Sequence, residues 1–435
     1  MAKVFSLEGK GLKLDTAADI DSHIQPLKDS HDVEEVLFQG NTLGVGACEA
    51  LAKVLETKQS LRVNIFTKVL PGLFLTNAQI ANLADIFTSR LLSEIPPALS
   101  HLLTSLLKLS NLHTINLSDN AFGLNTVEPL RPFLSQHTPL QHLILNNNGL
   151  GPAAGTLVAE ALTTLASKKA EARKEGQTVP DLETVVCGRN RLETGSMAAW
   201  VKAYTANNNI RSIKMVQNGI RQEGIVALLR DGLSNCTKLE VLDLQDNTFT
   251  ALGSRALADA VGKWRDLIEL GVGDCLLGAR GGVMVAEALR KGENKKLEVL
   301  RLQYNEIDAR GVRALADAAK LKDALPKLRR VEINGNKFSE EDNAVEELRE
   351  VLNGRREAAD GGEDEDDENW GVDELDDLED EDSDDEEDED EDDEEDGEAE
   401  KITKDADIAE DEPVAQKKDR DVDELANMLD KTELK

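Results

Sequence analysis

Read for its apolar positions, the chain repeats one nine-residue phrase. In Leu239–Asn247 (LEVLDLQDN) leucine-type residues hold the first, fourth and sixth places and an asparagine closes the phrase. The same spacing returns in Val33–Asn41, Leu112–Asn120, Leu140–Asn148, Leu182–Asn190 and Ile210–Asn218. Three further copies are Leu267–Cys275, closed by cysteine, Leu297–Asn305 and Leu328–Asn336. Alternation around the sixth place predicts a short strand in each copy. Stretches with helical periodicity follow, such as Ser254–Trp264 and Gly311–Lys320. From Asn190 onward the closing residues fall at 190, 218, 247, 275, 305 and 336, steps of 28 to 31.

This is the leucine-rich-repeat signature, and it predicts an α/β solenoid. Steps this long leave room for a full helix per repeat, which gives an open, ribonuclease-inhibitor-like horseshoe with parallel strands on the concave face and helices outside. The closing asparagines are expected to bond the backbone of neighbouring turns and form an internal ladder. Residues 1–356 make the repeat domain. Val4–Asp15 is expected as a strand pair capping its start, Glu340–Leu352 as a helix closing its end, and Arg355–Arg356 as its edge. Ser167–Pro180 stretches the step from Asn148 to Asn190 to 42 residues and, being polar, reads as a helix extension plus loop. Val63–Gln79 is different in kind. Its removal would join Arg62 to Ile80 and put Leu61, Ala81, Leu83 and Ile86 in repeat phase. It reads either as a translated intron, its ends encodable as GTN and CAG, or as a surface loop.

Charge separates the tail from the body. Gly361–Glu400 holds 29 acidic residues and no Lys or Arg, so taking those 29 from the net charge of −35 leaves −6. Residues 357–400 are therefore expected as a disordered acidic tail and 401–435 as a flexible terminus, in which Asp421–Leu434 has the pattern of a short amphipathic helix. Both charges argue against nucleic acid. Cys48, Cys187, Cys236 and Cys275 form no C-x-x-C pair and read as buried thiols in a reducing compartment. The six histidines make no metal-ligand spacing, and no Walker loop, H-E-x-x-H or G-x-S-x-G is present. MAKVFSLEGKGLKL lacks a signal-peptide core, and no run reads as a membrane span, so the protein is expected to stay in the cytoplasm or nucleus. It is expected to be a monomer.

Candidate chemistry lies beside the ladder. Asn148 reads as a ladder residue, whereas Asn147 stands one place earlier, at a strand-to-helix turn on the rim, where a carboxamide can donate and accept together. Arg90 reads, by pattern, as a solvated rim charge. Arg189 and Arg191 flank ladder residue Asn190. Asp119, Asp246 and Glu306 present carboxylates suited to a basic partner surface.

Six phrases carry a resemblance beyond the generic repeat: LSDNAFG (Leu117–Gly123), HTPLQHLILNNNGLGP (His137–Pro152), CGRNRLE (Cys187–Glu193), MVQNGIR (Met215–Arg221), LDLQDNTFT (Leu242–Thr250) and RLQYNEI (Arg301–Ile307). Together they resemble the Ran GTPase-activating protein family in its fungal form, from Phe5 to about Val351, with an acidic tail in the expected place. The departures are Val63–Gln79 and the lack of the folded C-terminal domain that animal members use for pore attachment. The resemblance implies an activator of the small GTPase Ran in nucleocytoplasmic transport, working without an arginine finger by orienting the GTPase's own glutamine. On that view Asn147 matches the family's key asparagine, and Arg90, in DIFTSR, an arginine the family needs, acting as a supporter of the site. Asp119, Arg189, Arg191, Asp246 and Glu306 become partner-binding candidates. Ran carries the GTP and magnesium, so no cofactor of its own is implied, and a Ran-binding protein is a conceivable coactivator. The competing reading is a non-enzymatic acidic leucine-rich-repeat protein that binds histones or other basic partners; its repeats are shorter and fewer. An inhibitor-type horseshoe is a third, set against by only four cysteines.

Overall fold

In the computed structural model, residues 3–58, 80–360 and 370–379 are described. Val63–Gln79 and Leu61 lie outside them, as do 361–369 and everything from 380 onward, so the expectations for the insertion, most of the tail and the terminal helix fall on residues that are not described.

Each of the nine repeat phrases supplies one three-residue strand, and Val4–Ser6, Ile80–Asn82 and the two-residue Gly371–Val372 add three more. In chain order these are β1 (Val4–Ser6), β3 (Glu35–Leu37), β5 (Ile80–Asn82), β6 (Thr114–Asn116), β7 (His142–Ile144), β8 (Thr184–Val186) and β9 (Ser212–Lys214). They continue as β10 (Val241–Asp243), β11 (Glu269–Gly271), β12 (Val299–Arg301), β13 (Arg330–Glu332) and β14 (Gly371–Val372). All pair in parallel with their sequence neighbours in a single twelve-stranded sheet. A separate two-stranded sheet joins β2 (Lys13–Leu14) to β4 (Thr42–Leu43). Strands stack about 4.8 Å apart, whereas helices need about 8–10 Å. The helical layer must therefore be the longer arc, which puts the sheet on the inside of the curve.

The pattern that announces the repeat is also its core. Leu239, Leu242 and Leu244 are fully buried, and so are Leu112, Ile115 and Leu117, and Leu140, Leu143 and Leu145. The helix Ala309–Lys320 turns Val312, Leu315, Ala316 and Ala319 inward, the spacing of one helical face. The first strand after the gap keeps the expected phase, with Ala81, Leu83 and Ile86 buried.

The ladder is present. The Asn120 N–H donates to Asn148 Oδ1 at 2.8 Å, that of Asn148 to Asn190 Oδ1 at 2.9 Å, and that of Asn190 to Asn218 Oδ1 at 2.9 Å. Each carboxamide nitrogen reaches back to a carbonyl of the previous repeat, as Asn218 Nδ2 does to Cys187 O at 2.9 Å. Ile86 ends its phrase without an amide, yet its own N–H still donates to Asn120 Oδ1 at 2.9 Å.

Three boundaries differ from the sequence expectation. The two strands within Val4–Asp15 do not pair with each other: β1 adds to β3, and β2 to β4, because the free sheet edge offers a full ladder of partners. The last helix runs Asn343–Asp360 and does not stop at Arg355–Arg356. Arg355 instead donates to Leu328 O and Ala319 O at 2.6 and 2.5 Å, satisfying carbonyls at the end of the last repeat. Within the stretch expected to be disordered from 357, residues 370–379 form a strap. Its β14 extends the sheet, Asp373 accepts from the N–H groups of Ile333 and Asn334, and Leu375 is buried. The apolar residues Trp370, Val372, Leu375 and Leu378 punctuate the acid run, and they are the signal that net charge concealed. The polar interruption behaves as expected: Gly151–Lys174 is one long helix. Lys169 on it is buried and donates to the carbonyls of Thr138, Leu140 and Pro180.

Two consequences are measurable. Asn218→Ala strands the buried Asn190 N–H and Cys187 carbonyl, and at roughly 1–3 kcal/mol per orphaned group should lower unfolding stability by about 2–6 kcal/mol in urea titration; a loss below about 0.5 kcal/mol would mean that the ladder is not what holds the repeats. Burial pushes His137 and His142 down to about 4. Both are thus neutral when folded and protonate more readily when unfolded, so stability is complete above pH 6.5 and falls as pH drops toward 4. Substituting His142 with Asn should flatten that slope.

Candidate functional site

The turn that leaves each strand is what builds the rim. The residue before the ladder position is left-handed in repeat after repeat: Asp119 (φ 61°), Asn147 (φ 50°), Arg189 (φ 55°), Gln217 (φ 54°), Asp246 (φ 57°), Asp274 (φ 53°) and Tyr304 (φ 54°). A side chain pays about 1–2 kcal/mol for this conformation, less for Asn and Asp. The backbone repays it by pairing outward. The N–H of Asp119 donates to Asn146 O at 3.0 Å, that of Asn147 to Gly188 O at 2.9 Å, and that of Arg189 to Val216 O at 2.8 Å. The ladder residue is thereby turned in and its predecessor turned out.

This places the sequence candidates. Asp119, Asn147, Arg189 and Asp246 occupy one and the same position in the repeats that follow β6, β7, β8 and β10. Arg191 (φ 53°) and Glu306 (φ 57°) take the position just after the ladder residue, also left-handed. All six therefore stand along one rim, although Glu306 sits several repeats from Asn147 and pairs with Lys337 at 3.5 Å. Asn148 is buried in the ladder and Asn147 beside it is exposed. Asn147 Nδ2 donates to Asp119 Oδ1 at 2.8 Å, so one of its two N–H groups is fixed and the amide plane with it. Its second N–H and its Oδ1 are what it can offer a partner. Leu124 on the neighbouring turn and Leu91 and Leu92 one turn further are exposed.

Farther along, Arg191, Glu193, Gln217, Asp246 and Asp274 line an open cleft of about 410 Å³. Burial raises the Asp246 carboxyl above its ordinary range, Asp274 adds to the rise, and Arg189 opposes it. This part of the rim is acidic with two arginines set into it.

Arg90 is not the solvated rim charge that its local pattern suggests. Its side chain is only 6% exposed. Nε donates to Thr42 Oγ1 at 2.9 Å, and one terminal nitrogen donates to Thr42 O at 3.0 Å and Leu14 O at 3.4 Å. The other pairs with Asp15 at 2.5 Å. Arg90 thus pins the turn after β5 to the small β2–β4 sheet. Asp15 and Thr42 went unnoticed in the sequence because they belong to other repeats, 75 and 48 residues away, and no local spacing joins them to Arg90.

All four cysteines are buried, and burial pushes each thiol up to about 12, as suits structural thiols. Among the described residues no group of three ligating side chains could hold a metal ion, and no helix is long and apolar enough to cross a membrane.

Comparison with known proteins gives concordant results. A Leucine Rich repeat family model matches residues 235–258 and 293–316. Ran GTPase-activating protein 1 of Saccharomyces cerevisiae is 39% identical over 350 residues, 80% of this chain and 81% of the yeast protein. Ran GTPase-activating protein of Drosophila melanogaster is 32% identical over 339 residues, 77% of this chain and 52% of the fly protein. Ran GTPase-activating protein 2 of Caenorhabditis elegans is 38% identical over 222 residues, 50% of this chain but 21% of the nematode protein. This chain therefore spans about half of the fly relative and about a fifth of the nematode one.

The geometry at Arg90 has a local signature. Arg90→Ala should raise hydrogen exchange at the amides of Thr42, Leu43 and Gly44 by about tenfold or more, the equivalent of losing about 1.4 kcal/mol, while β10–β13 amides stay unchanged. Uniform or absent change would contradict the pinning.

Proposed function

Because this chain belongs to the Ran GTPase-activating protein family, we propose that it accelerates GTP hydrolysis by Ran and that its rim amide at Asn147 orients the GTPase's own catalytic glutamine. Hydrolysis by a small GTPase is limited by placing the attacking water in line and by stabilising charge on the transferring phosphoryl group. The nucleotide, magnesium, water and glutamine all come from the partner. This chain contributes a fixed carboxamide. A glutamine amide presents one acceptor and two donors, and a second amide held edge-on is its complement. The tie from Asn147 to Asp119 is the observation that supports this most directly, since it fixes the amide before the partner arrives and removes a rotor that would otherwise have to be ordered.

Arg90 serves as a positioning residue. With its guanidinium spent on Thr42, Leu14 and Asp15, it shapes the turn bearing Leu91 and Leu92 rather than reaching the phosphates. Asp119, Asp246 and Glu306 act on encounter, raising the association rate with a basic surface and selecting register, with Arg189 and Arg191 marking where that register changes sign. The chain acts as a cytoplasmic monomer, keeps Ran in its GDP form there, and leaves room for a Ran-binding protein on the same complex. Family membership favours this reading over a histone-binding acidic protein.

Single-turnover hydrolysis by Ran·GTP with catalytic amounts of the chain tests it. Asn147→Ala should lower kcat about 10²–10³-fold, the scale of removing one preorganised polar group, with KM and thermal stability little changed. Full activity in a folded Asn147→Ala would overturn the role of the amide, and no acceleration by the unmutated chain would overturn the activator itself.

A further inference from the structure

Exposed apolar side chains are not spread evenly over this molecule. Among the described residues, five of the seven large hydrophobic side chains that face solvent lie on turns between a strand and the helix after it: Leu91, Leu92, Leu124, Leu276 and Tyr304. The other two are Val4, in the first strand, and Leu321, just after the helix Ala309–Lys320 at the opposite edge. Single exposed leucines are ordinary, but their concentration along one edge marks a place of contact.

Three of the five gather beside the candidate amide. Leu91 (69% exposed) and Leu92 (59%) follow β5, Leu124 (55%) follows β6, and Asn147 follows β7. The three strands are consecutive in the sheet, about 4.8 Å from one to the next. A Cβ on Gly123 would stand 3.5 Å from Gly149 O, which sets the turn of Leu124 against that of Asn147. Both leucine turns are held from below. Phe87 and Phe122 are buried and meet edge-on with ring centres 6.2 Å apart. Thr42 Oγ1 donates to Thr88 O at 2.6 Å, Arg90 binds Thr42, Leu14 and Asp15, and the Leu91 N–H donates to Glu94 Oε2 at 3.1 Å. On the next turn Thr126 Oγ1 donates to Gly123 O at 3.1 Å. A surface fixed in this way presents its leucines with no loop left to order on binding.

The polar rim alone holds a partner weakly. The Asn147 amide exchanges hydrogen bonds to water for hydrogen bonds to a partner, with a small net gain. Exposed carboxylates act mainly on encounter and are screened by salt. Apolar burial supplies lasting affinity, and interfaces keep it at their centre with polar groups around it.

We propose that Leu91, Leu92 and Leu124 form an apolar anchor that seats hydrophobic side chains of the GTPase next to its catalytic glutamine, holding that segment while Asn147 orients the amide. The proposal rests on the activator reading and deepens it. Continuity with Asn147 names the occupant: a folded domain is many strand spacings wide, so one whose glutamine meets Asn147 covers the turns beside it. Arg90 then matters through the leucine turn that it pins, without touching a phosphate.

Multiple-turnover kinetics on Ran·GTP with the full chain test the anchor. Leu91→Ser, Leu92→Ser and Leu124→Ser combined should raise KM about tenfold or more, by the same factor at low and at high salt, with kcat within about twofold and thermal stability unchanged. Leu92→Ser alone should raise KM about threefold, and it decides the matter if the triple variant fails to fold. Leu→Met at the three positions should keep KM near its unmutated value, and Leu321→Ser should leave it unchanged. Unchanged KM in folded serine variants overturns the anchor while leaving the activator reading intact. A KM rise that vanishes at high salt overturns it too, as does a kcat loss at unchanged KM, which assigns these turns to the chemistry. A chain that sediments as a dimer through these leucines gives the patch to a second copy and likewise overturns the proposal. No acceleration by the unmutated chain removes both readings.

Discussion

A chain of carboxamides sets the geometry of everything else. Each ladder asparagine accepts the N–H of the preceding repeat's closing residue and donates to carbonyls one repeat back, so the rotation between neighbouring repeats is fixed by hydrogen bonds shut away from water. A solenoid has no global core to correct errors of register, and only neighbours touch. Buried amide pairs of this kind are costly to leave unmade, which is why they specify one stacking rather than merely favouring it. The exceptions show how the rule bends. Ile86 and Cys275 accept nothing through a side-chain amide, yet the N–H of each still meets the next asparagine.

The rim is a by-product of that constraint. Turning the asparagine inward forces its predecessor into the left-handed region and outward, so each repeat offers one side chain along the edge except where Gly40 and Gly335 hold that place. Function can then be written at these positions without disturbing the fold. Asn147 and Asp119 stand on neighbouring turns and are joined by a hydrogen bond; Arg189 and Asp246 are spaced along the same line. At the ends, where stacking runs out, the molecule uses other means. Arg90 ties the first turns to the β2–β4 sheet, and Arg355 with the 370–379 strap completes the last repeat.

The repeat architecture was legible in the sequence because its signal is periodic: leucine spacing gives the core, and the closing asparagine gives the ladder. Asn147 could be told from Asn148 by one step in that period, although only a family likeness could give it a role. What stayed hidden was non-periodic. Arg90 looked exposed because its partners Asp15 and Thr42 come from other turns, and the strap looked disordered because four apolar residues were outvoted by acid.

On the proposed reading, Asn147 works through the glutamine of the GTPase. A double-mutant cycle on single-turnover hydrolysis measures this, pairing Asn147→Ala here with glutamine-to-alanine in Ran. If the amide acts through the glutamine, removing Asn147 changes nothing further once the glutamine is gone, and the coupling equals the whole effect of the single substitution. Independent, additive losses would contradict the account and move the chemistry to another group on the rim.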